Sequence, residues 1–282
     1  MISQEEVCPI ASLPGELLFE VQSVIHGFST ALIMVTTGSD GKESARLIGS
    51  GTFISISGRV GILTAAHVTD LLRGSYSLGL TLTERVHKYT MESEYLEVMR
   101  IAKGLVDSEG PDLAFIALPP AKLGTIQASK TFHNLDRNHQ RMLDAPPDFD
   151  MGVWALCGVP DVETTEEIPE KGFESLKGFR GYCGFGGIRS TYAAGEYDYC
   201  DFEVKHDSSP NIPTSFGGFS GGGLWQIPLL KLPEGKISPK EYILSGVAFY
   251  QTERAGLYRS VKCHGRKSIY DVFYKAMVPT NS

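Results

Sequence analysis

From about residue 30 onward the chain is cut into short apolar runs, each too brief for a stable helix and each bounded by turn residues. Runs at 31–37, 45–56 and 60–65 are rich in Val, Ile, Thr and Phe, the residue types that suit a pleated, half-buried surface. SDGK at 39–42 reads as a hairpin turn because Asp-Gly readily takes positive φ, and SGR at 57–59 reads as another. Further runs fall at 77–83, 95–103 and 113–118, giving one β-rich lobe that ends near Pro119-Pro120. After a stretch at 121–150 with little apolar alternation, a second set follows at 153–159, 179–188, 197–205, 223–227, 242–250 and 257–261. Two groups of short strands predict a double β-barrel. The division is 1–120 for an N-terminal extension and first lobe, 121–150 for the connection, and 151–282 for the second lobe. Two helices frame it. Leu17, Leu18, Val21, Val24 and Ile25 keep helical spacing within 14–27. Near the end, Ser268 is placed to cap a helix carrying Ile269, Val272, Phe273, Ala276 and Met277, stopped by Pro279.

Composition narrows the functional classes. A net charge of −7 without a basic stripe gives no basis for a nucleic-acid partner. No run approaches the roughly 20 apolar residues of a membrane span, so no membrane partner is expected. The N-terminus, MISQEEVCPIASLPGE, lacks the basic-then-apolar pattern of a signal peptide, and a cytoplasmic location is the simplest expectation. Cys8, Cys157, Cys183, Cys200 and Cys263 form an odd set without framework spacing and read as reduced, structural residues, with Cys183 and Cys200 candidates to face each other across two strands. No CxxC or HxxxH pair occurs, so neither a metal site nor any cofactor is expected. The acidic stretch 161–171 reads as a solvated loop, with docking or regulation as its functional alternative.

Three segments carry chemistry. ILTAAHV at 62–68 supplies His67, PDLAFIAL at 111–118 supplies Asp112, and GGFSGGGLW at 217–225 supplies Ser220. A serine hydroxyl is a poor nucleophile at neutral pH. It needs a base within hydrogen-bond reach, and the base needs a group that fixes its tautomer. His67 is the candidate base and later acid, Asp112 the orienting carboxylate, Ser220 the nucleophile. The glycines around Ser220 permit the unusual backbone turn that points N–H groups at a developing oxyanion, and Gly218 and Ser220 are the candidate donors. Gly221 and Gly222 leave room for a substrate backbone. The other histidines (His26, His87, His133, His139, His206 and His264) read as surface or packing residues, and GSG at 49–51 is no nucleotide loop because no lysine-serine/threonine ending follows.

With these segments in this order, the chain resembles the chymotrypsin-like (trypsin-like) serine peptidases from about residue 30 to 278. GSGTFISISGRVGILTAAHV resembles the strand pair leading to the family's catalytic histidine, and GGFSGGGLW resembles its Gly-Xaa-Ser-Gly-Gly signature. The resemblance implies an all-β, chymotrypsin-like double β-barrel closed by a C-terminal helix. It also implies endopeptidase activity through an acyl-enzyme, with a protein or peptide as substrate. LSGVAFYQ at 244–251 resembles the cleft-lining strand and AGLYRS at 255–260 the segment closing the specificity pocket. By that likeness Thr214 lies at the pocket base, Phe249, Tyr250 and Gln251 line the cleft, and Gly256 forms the opposite wall. Thr214 carries no charge and Gln251 narrows one wall, so the expected preference is a small or medium uncharged residue before the scissile bond, not Arg or Lys.

The chain also departs from the family. Phe219 stands where secreted digestive members place an acidic residue that pairs with a newly cut N-terminus, so activation of that kind is not expected. The usual disulfides lack matches, and Gly223 replaces a proline. These features resemble bacterial intracellular or HtrA-like protease domains, here without a following PDZ module. Activity in a cytoplasm would need restraint by specificity, by a regulatory protein partner or by a misaligned oxyanion hole. Two other functions fit the same residues: a catalytically silent protease-like module that binds peptides or a partner, and an esterase or acyl transferase.

Overall fold

The structure, a computed structural model, describes residues 13–72, 76–82, 89–167, 176–205 and 212–278. A first helix, α1 (Gly15–Phe28), turns Leu17, Val21 and Ile25 inward. Residues four apart share a helix face, and each such aliphatic side chain contributes about 1.5–3 kcal/mol when fully buried. The first lobe follows as β1 (Ser29–Thr37), β2 (Glu43–Ile56), β3 (Arg59–Thr64), the short helix α2 (Ala66–Asp70), β4 (Ser77–Leu80), β5 (Tyr89–Glu92), β6 (Glu97–Lys103) and β7 (Asp112–Ala117). Its strands are ordered β5-β4-β1-β2-β3-β7-β6. The expected turns are present. Gly41 takes φ +78° between β1 and β2, and Ser57 and Gly58 take φ 47° and 74° between β2 and β3.

The connection is more ordered than its weak alternation suggests. It holds α3 (Pro120–Gln127), a two-residue strand β8 (His133–Asn134) that joins β2 in parallel, and α4 (His139–Asp144). The second lobe contains β9 (Val153–Gly158), β10 (Thr164–Glu167), β11 (Leu176–Phe179), β12 (Tyr182–Ala194) and β13 (Tyr197–Lys205). It continues with β14 (Gly223–Ile227), β15 (Leu229–Lys231), β16 (Ile237–Pro239), β17 (Ile243–Gln251) and β18 (Tyr258–His264). Six of these close into a barrel, β12-β13-β18-β17-β14-β9, while β10-β11 and β15-β16 form separate pairs. The molecule is therefore an all-β double barrel in which the second lobe closes completely. His87 and His206, and residues 168–171 of the acidic stretch, lie outside the described residues.

The core between the lobes unites them. Ile54, Leu63 and Phe115 of the first lobe pack with Trp225, Leu244 and Val247 of the second, and with Val21, Ile25 and Phe273 of the terminal helices. A π-helical turn over Ser268–Phe273 leads into a last helical turn, α5 (Tyr274–Met277). Ser268 does not cap this helix. Asp198 of β13 does so from outside, accepting the N–H groups of Ser268 and Lys267 at 2.6 and 3.1 Å. The cysteine expectation also changes. Cys183 pairs across strands with Cys157, not Cys200, and Cys200 pairs with Cys263; all four are buried and free. The register follows from barrel closure, which sets β12 between β9 and β13.

Candidate active site

Asp112 opens β7 and is only 2% exposed. A buried carboxylate is costly unless its lone pairs are filled, and here α2 fills them. Asp112 Oδ1 accepts the backbone N–H of His67 at 2.8 Å, and Oδ2 is bonded to His67 Nδ1. Helix α2 has no side-chain cap of its own at Ala65, so Asp112 satisfies one of its orphan donors from another strand. One carboxylate thus fixes both the position of His67 and its tautomer: with Nδ1 as donor, Nε2 is left as the acceptor. The imidazole side chain is 31% exposed, so its far edge meets solvent.

Ser220 lies on a loop clamped from both lobes. Its carbonyl accepts Ser50 N–H of β2 at 2.8 Å. Ser50 Oγ donates to the Gly218 carbonyl at 2.7 Å and accepts Val159 N–H at 2.8 Å. On the other side, Gly221 N–H donates to Ala248 O at 2.7 Å, and Ala248 N–H donates to Gly222 O at 2.9 Å. Gly218 and Gly221 take φ +86° and +90°, a region strained for any residue with a side chain. A Cβ on Gly221 would meet Ser50 O and Thr64 Oγ1 at 2.1 Å. Between 217 and 222, Gly217 donates to Ser215 Oγ, Phe219 to Phe216 O, Gly221 to Ala248 O and Gly222 to Phe219 O. Among the described residues the N–H groups of Gly218 and Ser220 alone in that span have no acceptor, and these are the two expected oxyanion donors.

The three candidate residues are brought to one place unequally. His67 and Asp112 are directly bonded. Ser220 sits beside them through the backbone: a Cβ on Gly49 would touch both Val68, next to His67, and Ser220 O. The serine hydroxyl donates to the Phe249 carbonyl at 3.4 Å, and no hydrogen bond joins it to His67 among the described residues. Phe219 is 1% exposed and packs edge-to-face on Phe216 at 5.0 Å and Tyr182 at 6.0 Å. Ring packing thus holds the residue before Ser220.

The expected substrate-side residues are placed unevenly. Gln251 pairs with Val261 of β18, while Gly256 sits exposed in the turn beyond β17 with φ +62°. Phe249 does not line the cleft with its ring, which is 2% exposed and packs on Tyr199 and His264; only its carbonyl reaches Ser220. Tyr250 is 38% exposed. Gln251 accepts Phe216 N–H at 2.8 Å and donates to Ser215 Oγ at 3.2 Å. Thr214 is exposed, and its carbonyl accepts Arg259 Nη1 at 2.9 Å.

Sequence reading missed Ser50, whose flanking glycines were the available signal: Gly49 and Gly51 allow the close approach of Val68, Ser220 O and Ile62. It also passed over the role of His264. This residue is fully buried, and its Nε2 accepts the N–H of Asp112 at 2.9 Å. Burial pushes its pKa down to about 4 against the opposing pull of Asp112 and Asp198, so it is neutral, as an acceptor must be. No group of three or more His, Cys, Asp or Glu residues able to hold a metal occurs among the described residues. No described helix is long and apolar enough to cross a membrane.

No protein-family model matches the chain, and no curated protein matches it. Solved structures do. One, described as showing that aromatic interactions drive the coupled folding and binding of the intrinsically disordered Sesbania mosaic virus VPg protein, is similar over 91% of this chain and 92% of that one. Its TM-score is 0.44 and its sequence identity 14%.

Proposed function

We propose that this protein is a serine endopeptidase in which Ser220 attacks the scissile carbonyl, His67 takes and returns the proton, and Asp112 orients His67. The observation that carries the reading is the coincidence of two independent arrangements. Asp112 holds His67 by both its backbone and its Nδ1, and between 217 and 222 only the Gly218 and Ser220 N–H groups lack acceptors among the described residues. Two such donors, fixed before reaction, stabilise a tetrahedral oxyanion, and losing one costs on the order of 100-fold in turnover. Attack forms a bond between Ser220 Oγ and the carbonyl carbon. The proton passes to His67 Nε2 and then to the leaving amine, and water repeats the sequence to release the acid. In the resting protein the hydroxyl is turned toward Phe249 O, so the Ser220–His67 bond forms as substrate enters, a common feature of unliganded sites.

A fluorophosphonate probe tests this directly. Wild-type protein should be labelled at Ser220, and Ser220→Ala should not. Matched peptide and simple ester substrates separate an endopeptidase from an esterase or acyl transferase. The Phe249-directed hydroxyl also favours a second reading, a silent protease-like binding module, and absence of labelling in folded wild-type protein would select it.

A further inference from the structure

We propose that Arg259 makes the pocket beside Ser220 select an acidic residue, Glu or Asp, immediately before the scissile bond. This rests on the reading of Ser220 as nucleophile. Residues alternate faces along a strand, so Arg259 shares the face of Val261 and Cys263 on β18. Both of those side chains are buried inside the closed barrel with Phe216, Phe219 and Val204. The register also sets Arg259 opposite Val204, which is 2% exposed. The nearby carboxylates of β13, Asp201 and Glu203, alternate with the buried Phe202 and Val204 and so lie on the other face. Glu203 is engaged by Arg189.

The guanidinium is a half-buried cation with no carboxylate partner among the described residues. Its Nη1 donates to Thr214 O at 2.9 Å and to Gln251 Oε1 at 3.3 Å, and its buried Nε has no partner. A guanidinium so placed can take a carboxylate from a ligand. In a chain of net charge −7 the unpaired site is positive, and its location is specific. Gln251 Oε1 links Arg259 to the N–H of Phe216, and Phe216 O in turn accepts Phe219 N–H, one residue before Ser220. Phe249, whose carbonyl takes the Ser220 hydroxyl, lies two residues before Gln251 on the same strand.

A carboxylate entering beside Ser220 would compete for the Gln251 Nε2–Ser215 Oγ bond, next to the Arg259 guanidinium that is bonded to Gln251 Oε1. An arginine or lysine meets the same cation and is repelled. Thr214 alone predicts an uncharged preference; the guanidinium on its carbonyl changes that to a preference for negative charge.

The test is a series of otherwise identical peptides with Glu, Asp, Gln, Ala, Leu or Arg before the cleaved bond, read as kcat/KM alongside fluorophosphonate labelling. Wild-type protein should favour Glu over Gln by about tenfold or more, the scale of one charge-assisted contact. Arg259→Gln should bring the Glu/Gln ratio toward one, and Arg259→Lys should retain part of it. If Ser220 is labelled but Ala or Leu equals Glu, or if the ratio survives Arg259→Gln, the inference is overturned while the nucleophile stands. If no labelling and no cleavage of any peptide occurs, the assignment of Ser220 falls and the pocket proposal falls with it. The wild-type profile and the Lys variant keep the question decidable should Arg259→Gln fail to fold.

Discussion

On the His67–Asp112 side of the site, position is set by side-chain hydrogen bonds: carboxylate to imidazole, carboxylate to backbone N–H, and His264 to the Asp112 N–H. On the Ser220 side it is set by backbone bonds, positive-φ glycines and ring packing. Polar side-chain networks are specific and sensitive to protonation, and one deletion leaves a buried partner unsatisfied. Glycine turns and aromatic packing tolerate pH but not volume. The two halves should therefore fail in different ways.

The largest expected effect would erase the comparison. Ser220→Ala and His67→Ala should each lower kcat for peptide hydrolysis by roughly a million-fold, with the double variant little worse, because the residues act as a unit. Asp112→Asn should fall by about ten-thousand-fold, keeping more activity than the serine variant. Full activity in Ser220→Ala would remove Ser220 from the mechanism. Next comes the glycine side. Gly218→Ala would force a Cβ within 2.5 Å of Val159 O at φ +86° and displace an oxyanion donor. It should cost on the order of 100-fold in kcat with little change in KM. Gly187→Ala meets nothing within 4 Å and serves as the control; equal losses in both would show that the turn geometry is not what matters.

What the sequence made legible follows the same division. Local patterns were readable: β13 and β14 occupy 197–205 and 223–227, where alternation and apolar runs put them, and the Asp-Gly turn falls at Gly41. His67, Asp112 and Ser220 stood out as candidates because each sits in a short segment whose neighbours serve one geometry. Contacts made across long separations did not. Ser50 reaches Gly218 over 168 positions, and His264 reaches Asp112 over 152. Neither residue type announces such a role locally. The pairing of Gln251 with Val261, with Gly256 in the turn between the strands, depends on a turn length that no local pattern shows. Arg259 escaped because its place beside Thr214 and Gln251, without a carboxylate partner among the described residues, is set by barrel register.

The packing side yields a stability prediction. Phe219 fills the cluster formed with Trp154, Leu156, Phe202, Phe216 and Leu224. Phe219→Ala should destabilise by about 3–5 kcal/mol, the usual cost of removing a buried ring. The loss is measurable as a lowered denaturant midpoint at unchanged slope. Fluorophosphonate labelling should slow as well, since the ring anchors the residue next to Ser220. If stability drops while labelling at Ser220 stays at the wild-type rate, the ring supports the barrel but not the loop.

The smallest expected effect concerns protons and tests the polar side alone. His264 and His133 are buried and held neutral, with pKa values lowered to about 4 chiefly by desolvation. His264 faces the rings of Tyr197, Tyr199 and Phe249, with Asp112 and Asp198 nearby; His133 packs edge-on against Phe28 and Trp225. Their folded pKa values lie below the unfolded value of about 6.5, so between the two the unfolded chain binds more protons. Stability is then full above about pH 6.5, declines as pH falls, and has lost this contribution near pH 4. The size is on the order of 3 kcal/mol for each histidine. Melting temperature of Ser220→Ala protein, which cannot digest itself, should drop progressively from pH 7 to 4.5. Adding His264→Gln supplies an acceptor for the Asp112 N–H that does not titrate, so the slope should become shallower even if the neutral-pH melting point is lower. A slope unchanged by that substitution would mean that His264 does not sense acid, and that the Asp112 side is no more sensitive to protons than the glycine loop opposite.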